Sequence, residues 1–259
     1  MKTLRSFKLF IQVIILTPLL AIADNKTTLI IGYGDHDAAP YAIEKGEKLH
    51  AGVIKDIASE LADELDIDIS FLKTPRKRIE RYLENNIVHI VLNTNPVWLN
   101  NSEKLQWSDP LFIEQDKIIV KSSNTKEYKS LLDFKNMIIG TIRGYKYPNL
   151  EPYFSKGYFT RYDVSTLEVN LIRLKLNRID ALVDADILIN YQLKQNKFPE
   201  DYKLLPLVIS EHNISSALSP QAPISLKQFN NVLNKLKSQG VIAAILEKYQ
   251  ITPKQKKSQ

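Results

Sequence analysis

Charged side chains stand at predicted boundaries between strands and helices, where a small ligand could bind. Asp35 and Asp37 follow residues 28–34, an apolar, glycine-containing run that is typical of a buried strand. Arg76 and Arg78 stand where a second predicted strand gives way to a helix. In open α/β sheets, ligands bind beyond the carboxyl ends of the strands. The acids could accept hydrogen bonds from an ammonium group or only terminate the strand, and either arginine could bind an anion or only begin a solvated helix.

Aromatic rings and a glycine turn could complete such a site. Tyr41 and Trp98 are predicted in loops that leave strands, where a ring offers contact area at little entropic cost and can stack on a cation or a planar ligand. Either ring could equally pack beneath a loop. The sequence Arg143-Gly144-Tyr145 follows another predicted strand, and its glycine allows backbone N–H groups to approach an anion closely.

Several kinds of chemistry are excluded by what the chain lacks. It has no cysteine, which rules out a catalytic thiol, a thiolate metal site and disulfides. The motifs G-x-S-x-G and H-E-x-x-H do not occur. The histidines are too scattered for zinc ligation: His36, His50, His89 and His212. We predict no cofactor, no metal and no enzymatic activity, although His36, Asp184 or Asp186 could serve as a general acid or base.

The first residues have the order of a secretory signal peptide. Lys2, Arg5 and Lys8 precede the apolar stretch 9–22, and small residues lead to Ala23. A membrane anchor retained by failed cleavage and a buried N-terminal helix are the alternatives. The stretch is shorter than the roughly 20 residues that a membrane-spanning helix needs. We therefore predict that residues 1–23 are removed by cleavage after Ala23 and that the protein is soluble in the periplasm.

The charge of the chain gives no support to nucleic-acid binding. The net charge is +6, but the predicted signal peptide contains three basic residues and no acidic one, so its removal leaves +3. Much of the remaining excess lies in residues 253–259, a basic tail that we expect to be solvated. We predict no nucleic-acid partner.

The elements that must position these side chains alternate between helix and strand. Residues 51–65 repeat apolar positions at helical spacing, and a strand at 67–71, a helix at 77–84 and a strand at 89–92 are predicted after them. Beyond residue 116 the alternation restarts, with strands predicted at 117–120, 137–142, 181–183 and 207–218. This order predicts an α/β fold with a largely parallel sheet.

An ordered series of short motifs spans the predicted mature chain. The motifs are Ala39-Pro40-Tyr41, residues 52–58, Trp107-Ser108-Asp109-Pro110-Leu111-Phe112, residues 131–144, residues 177–183 and residues 236–249. In this order they resemble the family 3 extracellular solute-binding proteins, the periplasmic receptors that feed polar amino-acid ABC importers. The resemblance implies a two-lobed periplasmic binding protein fold of type II, each lobe a mixed, mainly parallel sheet flanked by helices.

The same resemblance implies where the lobes divide. Residues 24–115 would form the first part of lobe I, and residues 116–208 would form lobe II. Residues 209–252 would return to lobe I as strands and C-terminal helices, followed by the tail at 253–259.

The resemblance also identifies site positions, with one departure. In amino-acid receptors of this family a threonine and an arginine clamp the ligand carboxylate, and the corresponding positions here hold Trp98 and Asn101. Arg78 is the preferred substitute for the missing cation because branches of the family carry an arginine there, and Arg76 stays an alternative.

The same resemblance implies which residues of the second lobe belong to the site. Arg143 and Tyr145 would line the site, and Asp184 or Asp186 would hold the ligand amino group, with Asp184 preferred. Tyr41, Trp98, Arg78 and Asp35 complete the predicted ligand-binding set.

The resemblance favours a monomeric periplasmic protein that closes around a small polar ligand, an amino acid or a related solute, for an ABC importer. A periplasmic sensor that signals to a membrane partner is one alternative, because sequence alone does not separate sensing from transport. A dehydratase-like enzyme on the same fold is another, although fold analogy is a weak warrant for activity.

Overall fold

The structure is a computed structural model that describes residues 26–34, 37–195 and 199–249. Its strands are β1 (Thr28–Tyr33), β2 (Ile43–Lys45), β3 (Lys48–Ala51), β4 (Asp68–Lys73), β5 (Ile90–Thr94), β6 (Gln106–Trp107), β7 (Phe112–Lys121), β8 (Ile138–Ile142), β9 (Thr160–Val164), β10 (Ala181–Ala185) and β11 (Tyr202–Leu218). Its α-helices are α1 (Val53–Leu65), α2 (Ile79–Glu84), α3 (Glu151–Ser155), α4 (Leu167–Lys175), α5 (Asp186–Gln195), α6 (Leu226–Ser238) and α7 (Val241–Tyr249). The predicted signal peptide, Asp35, His36 and the tail at 253–259 lie outside the described residues.

One sheet carries most of the strands, in the order β4-β1-β5-β11-β7-β10-β8-β9, with β6 added beside β11. Strand β1 is parallel to β4 and β5, and β8 is parallel to β9 and β10. Strands β7 and β11 lie between these two groups and pair antiparallel with their neighbours. The sheet is therefore mixed, with a parallel group at each end, and the predicted α/β fold class is confirmed.

Strand β11 belongs to both halves of the sheet. Its last residues, Ser215 to Leu218, pair with β5, whereas Tyr202 to Ile214 pair with β7. The predicted boundaries at residues 115 and 208 fall inside β7 and β11 respectively. The chain thus passes between the two parallel groups through these long strands.

Helix α1 forms where the sequence predicted it because its apolar positions share one face. The buried residues of that face are Val53, Ile54, Ile57, Ala58, Leu61 and Ala62. Helices α6 and α7 pack against α1 in one apolar core that includes Phe229, Leu233 and Ile245. The C-terminal helices thus return to the first part of the chain.

A second core lies at the opposite parallel group and is rich in aromatic rings. It includes Tyr147 and Phe159, and the rings of Tyr128 and Phe134 stack with their centroids 4.4 Å apart. No α-helix among residues 26–34, 37–195 and 199–249 is long and apolar enough to cross a membrane.

Strands β7 and β11 begin five residues before the positions that the sequence predicted. The strand expected at 117–120 begins at Phe112, and the strands expected at 207–218 form one strand that begins at Tyr202. Pro206 obscured the second because proline cannot donate to a strand ladder. The structure accommodates Pro206 at a register shift between Leu204 and Val208.

Gly52 fixes the junction between the Ala39-Pro40-Tyr41 loop and α1. Its φ of 119° lies in the region that favours glycine, and a Cβ at this position would lie 2.5 Å from the carbonyl oxygen of Tyr41. Its N–H donates to the Tyr249 hydroxyl at 3.0 Å, which ties the junction to α7.

We expect Gly52→Ala to lower the free energy of unfolding by more than the ~1–3 kcal/mol cost of its glycine-specific backbone conformation, φ 119° and ψ 166°. Gly46→Ala is the matched control, because Gly46 has φ 65° but no neighbour within 4 Å of an added Cβ. Urea unfolding of both variants measures the difference. Equal losses would show that the close contact at Gly52 adds nothing.

Candidate functional site

A cavity of about 260 Å³ opens where the two parallel groups of strands meet the shared strands β7 and β11. Loops that follow β1, β4, β5 and β8 contribute to its wall, as do the strands β7 and β11 and the end of β10. The lining residues are Asp37, Tyr41, Arg76, Asn93, Trp98, Asn100, Glu114, Asp116, Gly144, Tyr145, Lys146, Tyr147, Asp184, Ala185, Leu188 and His212. The cavity therefore lies beyond the carboxyl ends of parallel strands, where α/β proteins bind their ligands.

Four of the lining side chains are buried carboxyl groups. Asp37, Glu114, Asp116 and Asp184 are each exposed by less than a tenth of their surface. They come from three different regions of the chain, the loop after β1, strand β7 and the end of β10. Such a concentration of acids out of water is costly unless protons, hydrogen bonds or a bound cation compensate for it.

Asp37 and Asp116 are held by several neighbours. Asp37 accepts hydrogen bonds from the backbone N–H of Gly34 at 2.9 Å and from the side-chain amide of Asn93 at 3.3 Å. Asp116 accepts a hydrogen bond from the Ser210 hydroxyl and lies 3.0 Å from Nε2 of His212. These two carboxylates are therefore already partnered within the protein.

Glu114 and Asp184 have fewer partners. Glu114 accepts one hydrogen bond, from the Tyr41 hydroxyl to Oε2, and Asp184 Oδ1 accepts one from the N–H of Ala185 at 2.9 Å. Among the described residues, nothing donates to Glu114 Oε1 or Asp184 Oδ2. Each of these buried acids thus presents an unused oxygen.

Burial changes the titration of these groups. It raises the pKa of Glu114 to about 7, and the charges of Asp116 and Asp186 add to the effect. It raises the pKa of Asp184 to about 8, with Asp116 and Glu114 as neighbouring charges. At neutral pH both groups therefore retain protons to a large extent in the ligand-free protein.

The aromatic residues form walls around these acids. Tyr41 is buried, and its ring stacks on Phe112 with a centroid separation of 6.3 Å. Burial raises the pKa of its hydroxyl well above the usual value, so that the hydroxyl remains a donor to Glu114. Trp98 is half-buried and meets the His212 ring edge to face, with centroids 5.7 Å apart.

The structure brings Arg76, and not the preferred Arg78, to the cavity. The guanidinium of Arg76 lies 5.8 Å from the centre of the Tyr145 ring. Arg78 is exposed and absent from the lining, and its nitrogen lies 3.4 Å from the Tyr82 hydroxyl of α2. The cause is the 3-10 turn Arg76–Arg78, which begins one residue before the predicted helix and turns the two arginines to different sides.

Of the other predicted site residues, some line the cavity and some do not. Tyr41, Trp98, Tyr145 and Asp184 line the cavity, and their roles in binding stay predictions. Asp186 begins α5, where its Oδ1 accepts from the N–H groups of Gln115 at 3.3 Å and Ile187 at 2.9 Å.

Four predicted residues do not contribute described lining atoms: Arg78, Asp186, Arg143 and Asp35. Arg143 is exposed and absent from the lining, although the adjacent Gly144 belongs to it. Asp35 lies outside the described residues. Asn101, at the position expected for a clamping arginine, donates its side-chain amide to Glu80 at 2.9 Å.

Sequence reasoning missed Glu114, Asp116 and His212. For Glu114 and Asp116 the sequence signal is the alternation of side chains along a strand. Both acids share the face of β7 that also carries Ile118 and Val120, and that face is buried. Cross-strand pairing brings His212 opposite Glu114. No group of His, Cys, Asp and Glu within the described ranges is arranged to hold a metal ion.

A mixed α/β sheet with a parallel group at each end, long shared strands and a polar cavity at their junction defines the class of two-lobed solute-binding proteins. The chain belongs to the bacterial extracellular solute-binding proteins, family 3, whose family model matches residues 29–252. This match confirms the resemblance drawn from the motifs and the solute-binding role.

Several individual proteins are similar to this chain. The chain is 24% identical over 214 residues to the "Probable amino-acid-binding protein YxeM" of Bacillus subtilis (strain 168), covering 81% of this chain and 79% of that protein. The ligand-binding core of GluR0 in complex with L-glutamate has a TM-score of 0.71 at 15% identity, covering 88% and 100% of the two chains. An ancestral cationic amino acid solute-binding protein has a TM-score of 0.70 at 21% identity, covering 86% and 96%.

The raised pKa values make the stability of the ligand-free protein depend on pH. Asp184 binds its proton more tightly in the folded chain, so its contribution is fully present below its ordinary pKa of 3.8 and is lost as the pH rises through about 8. Glu114 acts in the same direction up to about pH 7, as does His212, whose pKa is raised by its hydrogen bond to Asp116. Partial burial lowers the pKa of the half-buried His89, which acts in the opposite direction below pH 6.5.

Between about pH 5 and about pH 9 we expect the free energy of unfolding to fall less in Asp184→Asn than in the wild type. The variant lacks one of the groups whose pKa is raised by folding. Urea unfolding at the two pH values measures it, and the His89 contribution cancels because both proteins keep that residue. Glu103→Gln, which changes an exposed acid outside the cavity, should behave like the wild type. An unchanged pH dependence in Asp184→Asn would contradict the assignment of the proton to Asp184.

Proposed function

We propose that the chain is exported, cleaved after Ala23 and delivers a small polar solute to an inner-membrane ABC importer. The observation that best supports this proposal is the cavity at the junction of the two parallel groups of strands. Loops at strand ends line it from both sides. Residues 24–115 with 209–252 would form one lobe and residues 116–208 the other. Each boundary lies in a shared strand, where small changes of twist in β7 and β11 would move the lobes as a hinge.

In the proposed mechanism the two lobes close around a ligand that contacts both of them. A ligand that contacts Tyr41 or Trp98 on one side and Tyr145 or Asp184 on the other stabilises the closed arrangement, because only that arrangement provides both sets of contacts. The importer would then recognise the closed protein, which acts as a monomer.

The ligand class that we propose is an amino acid or a related small solute. Support comes from the curated relative, which is described as amino-acid-binding, and from solved structures such as an ancestral arginine-binding protein bound to arginine. The family and this relative are binding proteins. We accordingly propose that the chain binds its ligand without changing it.

An enzymatic role is the second candidate, because acids that titrate near neutral pH are suited to general acid or base chemistry. Glu114 and Asp184 meet that condition. One solved relative is described as an ancestral amino acid-binding protein that is a precursor of cyclohexadienyl dehydratase. Chemical analysis of the ligand after incubation separates the two roles, since a receptor returns it unchanged.

The proposal is tested by thermal unfolding of the exported protein with a panel of amino acids, organic acids, amines and short peptides. A solute at a hundredfold excess over its dissociation constant adds about 2.7 kcal/mol to the stability. We expect one class of small polar solute to raise the unfolding temperature. A panel without any effect would contradict the proposed function.

We expect Trp98→Ala to weaken binding of the active solute roughly tenfold, because the ring presents a large contact area to the cavity. Val97→Ala is the matched control, since Val97 lies in the same turn, Pro96–Trp98, but is 74% exposed. Calorimetric titration measures both affinities. Equal affinities for the two variants would place the ligand elsewhere.

A further inference from the structure

The buried part of the cavity contains unused acceptors and, among the described residues, no buried basic group to match them. Glu114 and Asp184 are 7% and 3% exposed, and no described group donates to Glu114 Oε1 or Asp184 Oδ2. Neither oxygen is among the fully enclosed polar atoms that lack a partner, so each is accessible from the cavity that both acids line. A ligand in the cavity can therefore donate a hydrogen bond to each of them.

The basic groups of the cavity are poorly placed to receive a ligand carboxylate beside these acids. Arg76 and Lys146 are exposed, and the Arg76 guanidinium lies over the Tyr145 ring at 5.8 Å from its centre. His212, the third basic side chain, hydrogen-bonds to Asp116 at 3.0 Å. The acids are inside the cavity, whereas the positive charges of Arg76 and Lys146 are at the solvent.

The two residues at the positions that the motifs assign to a carboxylate clamp make other contacts in this structure. Asn101 donates its backbone N–H to Glu80 Oε2 at 3.2 Å and its side-chain amide to the same oxygen at 2.9 Å. Trp98 presents an aromatic surface to the cavity. The face of an aromatic ring attracts a cation.

Aromatic residues surround the two acids. Tyr41, Trp98, Tyr145 and Tyr147 line the cavity, and together with Leu188 they provide apolar contact for a methylene chain. Ammonium groups donate up to three hydrogen bonds, so one such group can satisfy an unused carboxylate oxygen and still face an aromatic ring. The cavity volume of about 260 Å³ limits the ligand to a small molecule.

We propose that the cavity selects its ligand by ammonium or guanidinium groups held at Asp184 and Glu114 and does not require an α-carboxylate. The ligand class is a small aliphatic amine or diamine. This inference rests on the proposed function, because it names the solute of the same cavity.

Matched pairs of compounds that differ by one carboxylate test the inference. L-Lysine is compared with 1,5-diaminopentane, and L-arginine with 4-aminobutylguanidine, by calorimetric titration of the protein purified after export of the full-length chain. We expect each amine to bind at least about tenfold more tightly than its amino acid, because the carboxylate would enter an acidic cavity. Tighter binding of the amino acids would overturn the inference and leave the proposed function standing.

The remaining outcomes separate the two proposals. Binding of a solute without an ammonium or guanidinium group, with no binding by either pair, would overturn the inference alone. No binding by any compound of the wider panel would overturn the inference and the proposed function together.

Variants locate the recognition on the two acids. Asp184→Asn and Glu114→Gln keep the shape of a protonated carboxyl group, and the amide oxygen introduced by Glu114→Gln would still accept from the Tyr41 hydroxyl, so both variants are expected to fold. We expect each to weaken binding of 1,5-diaminopentane about thirtyfold, since each removes a charged hydrogen-bond acceptor. Glu103→Gln, in the exposed turn Ser102–Lys104, should bind as the wild type does. Unchanged affinity in both cavity variants, with their native unfolding temperature retained, would overturn the inference.

Discussion

The antiparallel pairing of β7 with β11 is the contact on which the rest of the structure depends. Strand β11 also pairs with β5, so the same strand bonds to both halves of the sheet. Through this pairing Asp116 meets Ser210 and His212, and Glu114 reaches the Tyr41 hydroxyl. The strands that connect the two halves are therefore also the strands that carry acids into the cavity.

This arrangement sets a constraint on the ionisation of the site. Asp116 has a hydroxyl and an imidazole as hydrogen-bond partners, whereas Glu114 and Asp184 each accept one hydrogen bond and have pKa values raised to about 7 and about 8. Protonation stabilises the ligand-free site, and a cation can replace the protons when it binds. The same groups thus serve stability without the ligand and recognition with it.

Much of the fold could be predicted from the sequence, because amphipathic helices and buried strands have distinct periods. Helix α1 was placed within two residues, with its buried face correct. The site was predictable only in part: Tyr41, Trp98, Tyr145 and Asp184 reach the cavity as predicted. Glu114 and Asp116 precede the strand predicted at 117–120, and pairing with β11 extends that strand to include them. Strands β7 and β11 are separated by about a hundred residues in the region of Glu114 and His212, so their pairing leaves no local signal in the sequence. The 3-10 turn that brings Arg76 and not Arg78 to the cavity leaves no such signal either.

We expect Glu114 and Asp184 to carry protons when the cavity is empty and to release them to the solvent when a cationic solute binds. Carbon-13 NMR of labelled Asp and Glu carboxyl groups tests it directly, because each carboxyl resonance reports its own titration. We predict one resonance that titrates near pH 7 and is absent from Glu114→Gln, and another that titrates near pH 8 and is absent from Asp184→Asn. Both groups should be ionised at neutral pH when the solute is bound. Titration of every carboxyl group below about pH 5, near the ordinary range for these side chains, would contradict it.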